Sequence, residues 1–317
     1  MQMSFQLFNE ATRPSRAGGS SLLLAAAITA GCSAGFMAEL RAEPFATEWV
    51  GGPKSSTRLI AAPGADAGSY RAGVEIRLEP GVLTYWRNPG EAGAPPEFNF
   101  TASDNVEDVT VRFPTPSRID EGGADAFGYR DEVIFPLDVK LTDPNRPTLL
   151  SLSLNYAVCG QICIPVNAQV ELKLPVAAAP PDASGLNHQA RLEAAAAKVP
   201  RRLGAEERDG KFLITRDLAA SQPTWRLSPR GDAAAIGATD MFIESPPGWY
   251  FESRRGEEPG EFLIVEVEAP HAERRASVHA TPITVTLAAP QESYEFGVAL
   301  DAGRAAADGS EGEKHDN

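Results

Sequence analysis

Apolar residues fall on every second position through much of the first half of the chain, the mark of strands with one buried face. In "YRAGVEIRL" the pattern buries Val74, Ile76 and Leu78 and exposes Glu75 and Arg77; in "VEDVTVRF" it buries Val109, Val111 and Phe113. "EVIFPLDV" is a further, more apolar run. The clearest alternation is "LLSLSLNY", with Leu150, Leu152, Leu154 and Tyr156 on one face and Ser151, Ser153 and Asn155 on the other. After Cys163 and Pro165 the pattern resumes through Val170, Leu172 and Leu174.

Pro, Gly, Asn and Asp clusters such as "EPG", "RNPGEAGAPP" and "TDPNRP" separate these runs, and no alternation of strands with helices is present. That combination predicts an antiparallel sandwich over residues 45–178. A linker follows in "AAAPPDASG", then one helix in "LNHQARLEAAAAKV", capped near Asp182 or Ser184 and stopped by Pro200, so that 179–205 is linker and helix. "KFLITRD", "DMFIES", "PPGWYFES", "EFLIVEVE", "ATPITVTLA" and "SYEFGVAL" predict a second, smaller β-rich domain over 206–301. Its Trp249, Tyr250 and Phe251 read as a core or inter-domain contact ahead of a binding surface. Residues 302–317 form an acidic tail of disordered composition. The fold class is all-β.

Composition narrows the partners. The chain has 317 residues with 43% apolar and 23% charged content, and 29 Lys and Arg against 43 Asp and Glu give a net charge of −14. A broad nucleic-acid or anionic-membrane footprint needs the opposite balance. At the N-terminus, Arg13 and Arg16 precede the apolar run in "SLLLAAAITAGCSAG", which predicts a signal over residues 1–42 and export. Cys32, after Ala30 and Gly31, is a candidate lipid-anchor site. Otherwise cleavage after Ala34 or Ala42 removes it.

Cys159 and Cys163 then remain as a pair between two strands, in a compartment where a disulfide persists. Three uses compete. As a staple the bond is weak, because closing a loop of about five residues contributes only roughly 2 kcal/mol. As metal ligands two thiolates fill half a zinc shell, and His188, His271, His279 and His315 all lie outside the first domain, so no metal site is expected; copper(I), content with two soft thiolates, stays open. The third use is reversible exchange with a partner's thiols.

"TYWRNPGEAGAPPEF" (84–98), "FGYRDEVIFP" (127–136) and "NYAVCGQICIP" (155–165) together resemble the N-terminal periplasmic domain of the DsbD family of thiol:disulfide interchange proteins, in its ScsB-type and stand-alone versions. The resemblance implies an immunoglobulin-like fold and a carrier that takes electrons from a membrane thiol reductase and passes them to periplasmic thioredoxin-like proteins, with no cofactor. It makes Cys159 and Cys163 the redox pair, Cys163 forming the mixed disulfide and Cys159 resolving it. It places Phe127 and Tyr129 in a loop that caps the pair, and Tyr156 just before it, as cap or partner-binding groups. Trp86, Arg87, Asn88, Pro89 and Gly90 read as structural, with Asn-Pro-Gly as a turn. Two departures stand: three residues separate the cysteines where full-length family members have five, and this chain has no Cys-x-x-Cys module or second long apolar segment, so the electron source is expected to be a separate protein.

Overall fold

The structure, a computed structural model, describes residues 45–64, 69–91, 93–177, 188–269 and 280–301. The expected N-terminal signal with Cys32, the expected caps at Asp182 and Ser184 and the acidic tail lie outside the described residues. No described helix is long and apolar enough to cross a membrane.

The first half supplies β1 (Val50–Gly52), β2 (Ser55–Pro63), β3 (Ser69–Leu78), β4 (Leu83–Gly90), β5 (Glu97–Asn99), β6 (Val106–Val111), β7 (Ser117–Asp120), β8 (Asp125–Arg130), β9 (Glu132–Leu141), β10 (Thr148–Cys159) and β11 (Cys163–Leu174). They form two antiparallel sheets, one in the order β1-β2-β3-β9-β6 and one in the order β11-β10-β4-β8-β7, with β5 beside β10. The alternating faces of the two sheets meet: Leu59, Val74, Ile76 and Phe135 from the first pack against Trp86, Leu150, Leu152 and Leu154 from the second, all buried. This is an all-β, immunoglobulin-like sandwich.

One departure from the alternation is set by a later part of the chain. Glu75, expected at the surface, is 0% exposed. The reason is α1 (Gln189–Ala196), which lies on the outer face of the first sheet and buries Leu192 with Ala46, Ile60 and Ala62. A carboxylate covered in this way needs cations. Arg58 Nε donates at 2.8 Å, Arg191 of α1 donates to the other oxygen, and Arg77 stands at 3.5 Å. The helix starts after His188 with no side-chain cap bond.

The second half supplies β12 (Arg201–Arg202), α2 (Ala205–Lys211), β13 (Phe212–Asp217), β14 (Thr224–Pro229), β15 (Asp240–Glu244), β16 (Tyr250–Arg255), β17 (Phe262–Glu268), β18 (Thr281–Ala288) and β19 (Tyr294–Leu300), with a 3₁₀ turn at Gly231–Ile236. Two four-stranded sheets result, β12-β19-β18-β15 and β13-β14-β17-β16, around a core that includes Trp225, Leu227, Ile264, Val285 and Phe296. β12 pairs with β19 in parallel, whereas the other strand pairs among the described residues run antiparallel.

Both sandwiches belong to one compact unit. Phe242 of β15 is buried in the first sandwich's core, edge-on to Trp86 at 5.9 Å and to Phe127 at 5.0 Å. Arg87 forks onto Glu244 at 2.6 and 2.9 Å and also pairs with Glu295, while Asn88 Nδ2 donates to the Ile243 carbonyl at 2.7 Å. Burial pushes the Glu295 carboxyl up, but Arg87 and Arg202 outweigh it and hold the group below the usual carboxylate range. Asn-Pro-Gly is therefore not a free turn: it is the bulged end of β4, docked on the second sandwich. Gly90 takes φ +82°, and a Cβ there would stand 2.4 Å from the Asp125 carbonyl, so the close pairing needs glycine.

Candidate functional site

β10 and β11 form one hairpin whose register runs from Thr148↔Leu174 to Cys159↔Cys163. The two cysteines face each other across the last pair, with Cα atoms 4.1 Å apart and the sulfurs bonded. Gly160, Gln161 and Ile162 make the tip, closed by a Gly160 N–H to Ile162 carbonyl bond of 3.2 Å. The pair is asymmetric. Cys159 is 1% exposed, sealed by Leu83 and Tyr85 of β4, Ile119 of β7 and Ala126 of β8, whereas Cys163 is open to solvent. Ile162, beside it, is 67% exposed.

Strand parity explains this environment. Successive side chains point to opposite faces, so Tyr156 and Val158 enter the sandwich core while Ala157 and Cys159 face outward. Cys159 pairs with Leu83 and Val158 with Thr84, which puts Leu83 and Tyr85 on the sulfur side. Gly93, at φ +101°, lets the following loop close on Tyr85: a Cβ there would meet the ring at 2.2 Å.

Two polar groups reach the sulfurs. Tyr85 Oη lies 3.0 and 3.2 Å from the Glu121 carboxylate oxygens and 3.5 Å from Cys163 Sγ. Glu121 Oε1 is 3.6 Å from the same sulfur. Burial, then the hydrogen bond and charge of Glu121, push the Tyr85 phenol well above its ordinary range, so it stays a donor at neutral pH. Glu121 sits at the tip of the β7–β8 hairpin, held by its own N–H to the Ala124 carbonyl at 2.9 Å and by Gly123 N–H to Asp120 Oδ1 at 2.8 Å.

The three aromatic residues assigned as cap or partner-binding groups stand elsewhere. Tyr156 Oη bonds to Ser55 Oγ at 2.7 Å and Thr57 Oγ1 at 3.1 Å, linking the two sheets through the core. Tyr129 is buried against Phe135 and donates to the Pro114 carbonyl at 2.8 Å. Phe127 packs on Phe242 at the second sandwich. The groups placed over the sulfurs are instead Tyr85 and Glu121. Tyr85 lies inside the quoted "TYWRNPG" stretch, but only cross-strand register shows which face it shares. The signal for Glu121 is the Gly122-Gly123 pair behind it, which marks a tight hairpin tip.

Among the described residues, Glu121, Cys159 and Cys163 form the one group whose ligand atoms lie within 4.8 Å of one another. With the sulfurs bonded together neither is a thiolate, and the group is not a metal site in this state. Trp249 stacks on Phe251 at 5.8 Å in the second core, and Tyr250 Oη donates to Glu91 of the first sandwich at 2.8 Å, so this aromatic cluster is shared between core and interface.

An immunoglobulin-like sandwich with a cross-strand disulfide at one end, one sulfur buried and one exposed, is the class that the fold and site define. Residues 56–175 match the family described as "Thiol:disulfide interchange protein DsbD, N-terminal", and this segment belongs to it: it is a thiol–disulfide interchange domain. The crystal structure of the N-terminal periplasmic domain of ScsB from Proteus mirabilis is similar over 82% of this chain and 100% of that one, with 23% identity and a TM-score of 0.63. The reduced DsbD N-terminal domain of Neisseria meningitidis aligns over 38% of this chain and 85% of its own, at 16% identity and a TM-score of 0.24. The first likeness extends the shared fold across both sandwiches. No curated protein matches the chain.

The hairpin geometry yields a stability prediction. Its strands are already zipped through twelve register pairs, and a five-residue ring removes little chain entropy. Reducing the bond, or replacing both cysteines by alanine, should cost about 2 kcal/mol or less. Urea unfolding of the oxidised and reduced protein checks this; a loss of roughly 4 kcal/mol, the scale of a bond closing a long loop, would make the disulfide a staple.

Proposed function

We propose that this protein is an exported, periplasm-facing redox carrier in which Cys159 and Cys163 cycle between dithiol and disulfide. Electrons arrive from a membrane thiol reductase and leave to thioredoxin-like proteins. The observation that carries the reading is the unequal exposure of the two sulfurs. A partner reaches Cys163 and not Cys159, so every exchange begins at one atom.

In the reduced state the Cys163 thiolate attacks a partner disulfide, forming a mixed disulfide and releasing one partner thiolate, which takes up a proton. The Cys159 thiolate then attacks Cys163 Sγ, restoring the internal bond and releasing the second partner thiolate. Two electrons and two protons pass to the partner, and the carrier's dithiol becomes a disulfide. No cofactor enters the balance. Direction is set by the relative potentials of the partners, and attack by a reduced donor on Cys163 Sγ runs the same steps backwards.

The test mixes reduced protein with an oxidised thioredoxin-fold protein carrying a Cys-x-x-Cys pair and counts thiols on both after acid quenching. Two thiols should move from carrier to partner. If the partner stays oxidised while the carrier's thiols remain free, the reading is wrong. If reduced protein instead takes up one copper(I) per pair tightly and transfers no thiols, the sulfurs serve copper.

Ile162 supplies a finer prediction. An exposed aliphatic residue next to the reactive sulfur fits the apolar surface around a partner's own disulfide. Ile162→Ser should slow exchange with the thioredoxin-fold partner about tenfold, the scale of one buried aliphatic contact. Reduction by dithiothreitol, which needs no docking, should change less than about twofold. Equal slowing of both reactions would remove Ile162 from the docking surface.

A further inference from the structure

The second sandwich has no sulfur chemistry of its own, yet it holds the stem of the hairpin that carries Glu121. Arg118 in β7 is the junction. Its guanidinium donates to Asp125 Oδ2 on the neighbouring strand at 2.5 Å, and across the interface to both oxygens of Asp240 at 3.0 and 3.1 Å, the Met241 carbonyl at 3.1 Å and Ser253 Oγ at 2.7 Å. It also lies over the Phe127 ring at 5.0 Å. A planar fork saturated in this way fixes direction as well as distance.

A second tether reaches the same stem. Tyr250 Oη of β16 donates to Glu91 Oε1 at 2.8 Å, and the Glu91 N–H donates to the Asp125 carbonyl at 3.0 Å. Asp125 thus receives bonds from Arg118 and Glu91, both anchored on the second sandwich. Beyond it the hairpin tip overhangs a cleft of about 510 Å³ between the sandwiches, lined by Gly123, Asp125, Arg118, Trp249 and Tyr250. Tyr85 holds the Glu121 carboxylate from the sulfur side, and the stem holds the backbone that carries it.

We propose that the second sandwich positions Glu121 against Cys163 through the Arg118–Asp240 bridge and the Tyr250–Glu91 bond, and so sets how readily a thiolate attacks the exposed sulfur. This rests on the exchange role given to Cys163. The physical link is charge: a carboxylate oxygen 3.6 Å from Cys163 Sγ opposes an approaching anionic thiolate. Arg118, Asp240 and Tyr250 are positioning residues; they touch no sulfur.

Two measurements on the oxidised full chain test this. The first is amide hydrogen exchange at residues 121 and 123 in Asp240→Asn and in the milder Tyr250→Phe. Exchange should quicken about tenfold or more in the first and less in the second, with the amides of β10 and β11 unchanged. The second is the rate of reduction by glutathione at neutral pH. Glu121→Gln should raise it about tenfold and Asp240→Asn about threefold, and Asp240→Asn should add nothing once Glu121 is already Gln. Unchanged exchange at 121 and 123 in both variants overturns the positioning, and quickened exchange with an unaltered reduction rate overturns its chemical consequence. Should the wild-type disulfide resist every thiol, the carrier reading fails, while the amide measurement still decides whether the second sandwich holds the hairpin.

Discussion

Cys163→Ser should lose thiol exchange to the uncatalysed background, roughly a 10³-fold fall or more, because no other sulfur in the site is accessible. Cys159→Ala should behave differently. The exposed thiol at 163 can still attack a partner disulfide, but the buried thiol that would release the product is gone, so the mixed disulfide accumulates. A thiol-trapping gel under non-reducing conditions, run after mixing each variant with an oxidised thioredoxin-fold protein, separates the two outcomes. Accumulation with Cys163→Ser in place of Cys159→Ala would reverse the assigned roles.

Phe242→Ala should destabilise the first sandwich although the residue belongs to the second. The ring is 0% exposed, and its edge contacts are with Trp86 and Phe127. Truncating a buried aromatic leaves a cavity and costs about 3–5 kcal/mol, which for a molecule of this size lowers the melting temperature by on the order of 10 °C. The same substitution at a site confined to the second core would leave the first sandwich's amide protection intact. Thermal unfolding together with hydrogen exchange across residues 45–177 distinguishes the two. Protection unchanged in that segment would show that the sandwiches are energetically independent.

How far the sequence could be read follows from what a period of two encodes. It reports which residues of one strand share a face, so Leu150, Leu152, Leu154, Val170, Leu172 and Leu174 are legible as core, and the strand leading into Cys159 is visible at once. It does not report what covers the other face. Glu75 has the polar position of an alternating strand, and nothing local announces that α1, more than a hundred residues later, will bury it with Arg191.

Nor does periodicity say which strands pair. The resemblance puts Phe127 and Tyr129 in a capping loop and Tyr156 just before the pair, yet Val158↔Thr84 and Thr84↔Tyr129 pairing puts Tyr129 with Tyr156 on the core side of the sheet. Tyr85 and Glu121 come to the sulfurs only through that register. β14 and β12 escape for another reason: "TWRLSP" has only Trp225 and Leu227 to mark a buried face and lies between Pro223 and Pro229, and a two-residue strand has no period to detect.

All of this depends on whether the Cys159–Cys163 link opens under physiological conditions. Equilibrating the protein across a series of glutathione and dithiothreitol buffers, then counting alkylated thiols by mass, measures that directly. A carrier should convert from no free thiols to two in a single two-electron transition at a potential above about −300 mV, within reach of biological thiols. A bond still intact well below about −300 mV would contradict the account and make the pair an inert fixture of the hairpin.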